Sequence, residues 1–406
     1  MSLDRGASSL HPPMSACRPL PPVAARVDAE LARMDGEVDW LLALSPIGND
    51  ALWDSFEASG HTSVAPLQYI DLDVDLHAAR ERLRALPVED IESPLLSGLL
   101  SEKQRELERQ IELVRLRGTA GFITASLDLF GGVEPSLLKL ANAILEQVGS
   151  GAPQDADAGI DEVMAAVEEE MAWYREQSPD FNAEVVVDTD LNSLMMVSHG
   201  TFYIDGDLRV PRARVQPLIQ HEIGTHVVTR HNGRRQSLRQ LEVGLAHYDP
   251  LQEGLGVLAE YLAGYLPAER LRVLAARVVA TEMAIHGEGI PAIYDLLHVT
   301  HGLPSDDAFD VAVRALRGGG LTKDAVYLGG LRDLIDYLRD DGEFEPLFVG
   351  KFALSHRVVL DQLIDEGWVV APDLLPRYCS WPDFTERLAR CRNLPVERLF
   401  HQEPAQ

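Results

Sequence analysis

Residues 221–226 read His-Glu-Ile-Gly-Thr-His, and this run sets the tightest demand on how the chain folds. Two imidazoles flanking a carboxylate on one short segment are what a catalytic zinc site takes from its first helix. In the common H-E-x-x-H form the histidines stand at i and i+4, on one helical face. Here one more residue separates them. At roughly 100° per residue, His221 and His226 on a regular α-helix point roughly 140° apart. A single π-type turn, with its i→i+5 bond, returns them to a common face, and such bulges occur mostly at functional sites. Gly224 lies between them and lowers the steric cost of that distortion. The six residues therefore predict a metal site only together with a local helix defect. Without the defect they read as an ordinary amphipathic helix carrying surface histidines.

A catalytic zinc centre needs a third protein ligand and one position left for water. The segment Tyr248-Asp249-Pro250-Leu251-Gln252-Glu253-Gly254-Leu255 supplies a candidate. Asp249 suits the N-cap, Pro250 the first helical position, and Gln252 the third position of a capping box. Glu253 then falls near the first turn, where the helix dipole favours a carboxylate. Apolar Val257, Leu258, Tyr261 and Leu262 predict that this helix is buried, and a carboxylate on its apolar side wants a partner, which a metal provides. The plain alternative is a solvated first-turn acid. Glu260, two turns further on the same face, is either the ligand instead or a hydrogen-bond partner to a histidine ring.

HEIGTH, then His231-Asn232-Gly233 with Gln236, then Gln252-Glu253-Gly254-Leu255, resemble the bacterial proteins named for a Q-E-G-L-A motif and labelled flavohemoglobin expression modulators. Their eukaryotic relatives are the microtubule-associated tyrosine carboxypeptidases. The resemblance extends through Leu116-Arg117-Gly118-Thr119, Arg314 to Gly319, Thr322 to Leu328 and Leu347 to Lys351, over roughly residues 35–380. It implies a zinc peptidase in which His221, His226 and Glu253 bind the metal and Glu222 is the catalytic base. One departure is visible: the motif reads QEGLG, with Gly256 where the family has alanine, a packing change one turn from the ligand.

The same chemistry asks for further groups. An oxyanion needs a donor, and a terminal carboxylate needs a cation, best a bidentate arginine. The segment from Arg314 to Tyr327 offers Arg314, Arg317, Lys323 and Tyr327 around the glycine run 318–320, which reads as a loop. Arg317 and Lys323 are expected at the substrate carboxylate and Tyr327 at the oxyanion. For each, the alternative is a solvated basic loop. Arg277, inside the apolar run 271–279, is read as a structural ion pair before a clamp. His199, His231 and His247 lack ligand spacing and are read as surface residues or neighbours of the ligands.

Strand signals precede the motif. Residues 183–187 are β-rich, and 194–197 and 201–204 flank Ser198-His199-Gly200, a hairpin turn. An edge of that sheet offers an extended peptide a place to pair. Residues 1–25, with Pro12, Pro13, Pro19, Pro21 and Pro22, read as a disordered tail. Residues 26–150 form a helical region, with helices over 101–117 and 137–148, and 160–400 form a metallopeptidase-like region. Its first helix, 160–177, carries the acidic run 168–170, read as solvated. The expected architecture is α+β, mostly helical, with a small antiparallel sheet beside the zinc-binding helix.

With 64 acidic against 36 basic residues the net charge is −28, which argues against nucleic acid or an anionic membrane as partner. Three cysteines make no disulfide framework and no zinc knuckle. The first 25 residues show no signal peptide and no apolar run reaches 18 residues, so a cytoplasmic protein without a membrane span is expected. The leading reading is a zinc-dependent carboxypeptidase acting on a peptide or protein C-terminus. A zinc hydrolase of a non-peptide amide and a non-catalytic metal-binding regulator are the alternatives, and iron also suits two histidines and a carboxylate.

Overall fold

The computed structural model describes residues 17–151, 154–189, 191, 193–317 and 321–402. Pro12 and Pro13 of the expected tail and the glycine run 318–320 lie outside the described residues. The architecture is mostly helical with two small sheets, and among the described residues no helix is long and apolar enough to cross a membrane.

Several helices begin where local chemistry starts them. Pro94–Leu116 starts seven residues before the expected Ser101, because Ser93 caps the Leu96 amide and Pro94 takes the first turn. Gly118, at φ 69°, follows its end. Pro22–Asp35 begins inside the segment read as tail: Pro22 opens it, and Ala24, Val27 and Leu31 bury one face. Pro135–Gln147 and Ile160–Gln177 lie where the sequence pattern puts them. Within the latter, Glu170 is fully buried and pairs with Arg377 at 3.1 Å, so the acidic run is not wholly solvated.

The three-stranded sheet has Thr201–Asp205 in the centre, between Glu184–Asp188 and Met195–Ser198. The hairpin Met195–Asp205 is antiparallel and turns through His199 (φ 45°) and Gly200 (φ 86°), the left-handed pair that matches strand twist. Glu184–Asp188 pairs parallel to the central strand, with Val185 opposite Phe202. The chain reverses twice between these two strands, so the sheet is mixed rather than antiparallel throughout. Its edge strand Met195–Ser198 packs on the segment that follows His221.

The centre of the fold is the helix Asp249–Leu262, buried along nearly its whole length. It packs on the motif helix Arg212–His221 on one side and on Val326–Arg339 on the other. Ala268–Ile285 packs against Pro135–Gln147 and Ser305–Leu316. These contacts bring segments from Pro135 to Arg339 to one place.

Candidate metal centre

The motif helix runs into a π-helical turn, Glu222–Val227, and α-helix resumes at Val228–Arg234. The Thr225 hydroxyl donates to the Gln220 carbonyl at 3.2 Å, and Thr229 donates to the Thr225 carbonyl at 2.8 Å, so side chains share the carbonyls of the widened turn. Gly224 has a role other than backbone freedom: a Cβ there would lie 2.6 Å from Gln220 Oε1. The inserted residue sets the His221 and His226 rings side by side, centroids 5.3 Å apart and planes at 71°.

Glu253 completes the group. One ring nitrogen from each histidine and one Glu253 oxygen all lie within 4.8 Å of one another, with His221 Nε2 3.9 Å from Glu253 Oε2. An ion bonded at about 2 Å to each spans donors separated by about 3–4 Å, so this donor set fits a zinc-sized cation after a small inward adjustment.

The far side of each ring is held. His221 Nδ1 stands 3.0 Å from Glu260 Oε1, and His226 Nδ1 stands 3.4 Å from Gln252 Oε1. Both acceptors favour the tautomer with hydrogen on Nδ1, leaving Nε2 as the electron-pair donor. Glu260 is thus the partner of a histidine ring, outside the group of three donors. It also receives Arg214 at 2.8 Å and Arg270 at 3.4 Å, beneath no exposed surface. Gln252 does not close a capping box: its oxygen accepts from Thr229 at 2.9 Å. Asp249 is the first helical residue, with no capping bond, and its carboxylate meets Lys323 Nζ at 2.9 Å. Local cap chemistry lost both side chains to tertiary partners. Gly256 bears directly on the ligand: a Cβ there would sit 2.6 Å from His221 Nε2.

Burial governs the protonation of the site. It pushes Glu222 up to about 7, against the neighbouring His221 charge. Glu253 is raised, again by burial first, with His221 and Lys323 opposing. Burial holds His226 well below the usual imidazole range, helped by His221 and Lys351, so this ring is a neutral donor. Burial also lowers His221, but the Glu260 hydrogen bond and the surrounding acids outweigh it and leave it raised. Glu260 is drawn down to about 2, because Arg270, Arg214 and His221 overcome its desolvation. Glu222 Oε2 is buried and has no hydrogen-bond partner among the described residues.

The other expected residues divide. Tyr327 stands in the first turn of Val326–Arg339, is pushed up to about 12 by burial and by Glu253, and makes no hydroxyl hydrogen bond to a described residue. Lys323 lies within electrostatic reach of Glu253 and Tyr327, but Asp249 takes its charge. Arg317 is only 3% exposed; its Nε and Nη1 have no hydrogen-bond partner among the described residues, and burial, then Arg314, pulls it down to about 10. Arg314 is bound by both oxygens of Asp324, at 3.0 and 2.7 Å. His231 is buried and meets Asp373 at 3.0 Å, while His247 is exposed.

Two cations gain weight from the structure. Lys351 is half-buried, its Nζ over the Tyr248 ring at 5.6 Å, and burial brings it down to about 8. Arg277 forms no ion pair among the described residues, contrary to the expectation, because the nearby Asp324 is already taken by Arg314. Its guanidinium lies 5.1 Å from the Tyr327 ring centroid. Only the unusual placement of an arginine in an apolar helical run hinted at it.

No curated protein and no solved structure matches the chain. A family model described as microtubule-associated tyrosine carboxypeptidase matches residues 54–394, the stretch that contains the whole site. By that match the chain is a member of the microtubule-associated tyrosine carboxypeptidase family, whose described activity is of the carboxypeptidase type.

Proposed function

We propose that the protein is a zinc-dependent metallopeptidase that hydrolyses a C-terminal peptide bond, with Glu222 as general base. The observation that carries this reading is the buried, unpartnered Glu222 oxygen beside the donor set of His221, His226 and Glu253. A purely structural metal site has four protein ligands and no use for a base. When held by these three residues, zinc supplies Lewis acidity that acidifies water and polarises a carbonyl.

The protein's own groups do the rest. Glu222 takes a proton from the attacking water and passes it to the departing amine. Burial raises its basicity, and its free oxygen leaves room for that hydrogen bond. Tyr327, whose hydroxyl makes no hydrogen bond to a described residue, donates to the developing oxyanion. The edge strand Met195–Ser198, against the π turn, presents open backbone groups to an extended peptide. Arg277, 5.1 Å from the Tyr327 ring centroid, adds positive charge beside Tyr327, which favours an anionic substrate end despite the acidic chain as a whole.

Elemental analysis of protein purified without added metal tests the centre, and cleavage of a peptide library tests the chemistry. Stoichiometric zinc with release of C-terminal residues, and a Glu222→Gln variant that keeps zinc but loses cleavage, is the expected result. Full activity in Glu222→Gln would remove the base. Zinc without any cleavage by the native chain would favour a non-catalytic metal-binding regulator, and turnover of simple amides alone a non-peptide hydrolase.

A further inference from the structure

The geometry points to Arg277 as the anchor for the substrate's terminal carboxylate, with the Tyr327 ring as its platform; this rests on the peptidase reading above. Arg277 projects from the middle of Ala268–Ile285. Its Nε is buried without a partner, it forms no ion pair among the described residues, and the side chain as a whole keeps partial exposure. An unanswered guanidinium at such a depth is costly, and a fold retains one where an anion arrives to complete it. The charged and titratable groups around it form no ion pair with it among the described residues. Asp324 is held by both arms of Arg314, Arg270 and Arg317 are of like charge, Tyr327 is neutral, and Asp307 on the packed helix Ser305–Leu316 feels the Arg277 charge without pairing to it.

Position agrees with the role. Tyr327 lies within electrostatic reach of Glu253 and has the Arg277 guanidinium 5.1 Å from its ring centroid, so the tyrosine neighbours both the donor group and the guanidinium. A substrate whose last peptide carbonyl lies at the donors and the Tyr327 hydroxyl extends one residue further, and its carboxylate then reaches Arg277. The planar fork of arginine matches a carboxylate with two parallel hydrogen bonds, and stacking on an aromatic face fixes the plane of that fork. The other expected cations are less suited. Lys323 is neutralised by Asp249, Arg317 is almost without exposed surface, and Lys351 lies on the His226 side. An endopeptidase has no need of such an anchor, so Arg277 is the residue that restricts cleavage to chain ends.

Binding separates this proposal from catalysis. In a zinc-loaded Glu222→Gln background, N-dansyl tripeptides ending in Ala, Leu, Phe, Lys or Glu are compared with their C-terminal amides by fluorescence anisotropy. The expected result is that acids bind about tenfold or more tightly than amides, as one bidentate charged pair provides. Arg277→Met brings the ratio near one while amide binding stays unchanged, and Arg277→Lys, with charge but no fork, falls between. If the Met variant does not fold, the Lys variant decides by the same ratio. An acid-to-amide ratio near one in the background protein, or a ratio that survives both substitutions, overturns the anchor. If the ratio behaves as expected but the Glu222-intact protein cleaves none of these peptides, the anchor stands and the peptidase reading falls.

Discussion

Gly254 and Gly330 meet back to back where the helix Asp249–Leu262 crosses Val326–Arg339. A Cβ on Gly254 would lie 2.6 Å from the carbonyl of Gly330, and one on Gly330 would overlap the Pro250 carbonyl. Only two glycines let these backbones approach so closely. The crossing sits one residue after Glu253 and three after Tyr327, so it sets the spacing of the proposed metal donor and the hydroxyl. Gly330→Ala is expected to destabilise the protein by about 1–3 kcal/mol, as overpacking does, and to separate Glu253 from the histidines. Urea unfolding and zinc uptake measured on one preparation check both; a variant with unchanged zinc affinity would show that the crossing does not position Glu253.

Gly256 works on the other side of the same helix, under His221 Nε2. Gly256→Ala places a methyl against the nitrogen that donates to the ion, and the imidazole has to move. Zinc affinity is expected to fall about tenfold, the scale seen when the support of a metal ligand is disturbed. Competition against a chromophoric chelator measures it, and an unchanged affinity would mean that the ring gives way freely.

The spacing of HEIGTH demanded a widened turn from helix arithmetic alone, and Glu222–Val227 supplies it. Glu253 was legible because an acid on an apolar stripe wants a partner. What the sequence could not show was which partner each polar side chain finds. Asp249 and Gln252 have the right types for a cap, yet Lys323 lies 74 residues away and Thr229 on another helix, and both outcompete the local amides. Arg277 was read as paired because a buried arginine usually is; that its nearest acid is spent on Arg314 is a tertiary fact. The parallel pairing of Glu184–Asp188 likewise depends on which side of the hairpin that strand joins.

Asp28 gives a pH dependence remote from the metal centre. Its two oxygens accept the Arg239 and Gln240 amides at 2.8 and 3.1 Å, and burial nonetheless raises its pKa from 3.8 to about 6. A carboxyl raised on folding binds its proton more tightly in the native state. Its contribution is therefore fully present below pH 3.8 and lost as pH rises through about 6. The stability difference between native protein and Asp28→Asn should shrink by about 1–1.5 kcal/mol between pH 5 and pH 7.5. Urea midpoints across that range test this; a difference that stays flat or grows would show that the two amides, rather than burial, dominate the carboxyl.

Glu253 and Glu260 lie two turns apart on one helix and are expected to fail in opposite ways. Glu253 makes no hydrogen bond to a described residue, its contact with His221 is a loose 3.9 Å, and burial disfavours its charge, so little in the metal-free fold depends on it. Glu260 neutralises Arg214 and Arg270 and fixes the His221 ring. Glu253→Ala should lose zinc while the metal-free protein keeps its unfolding midpoint or gains slightly. Glu260→Ala leaves two partly buried guanidinium groups without their buried acid and should cost about 2–4 kcal/mol without metal present. Zinc content by elemental analysis and unfolding in the presence of a chelator, run on both variants, distinguish a ligand from the residue that supports one. Equal losses of metal-free stability in the two variants would contradict this division of roles.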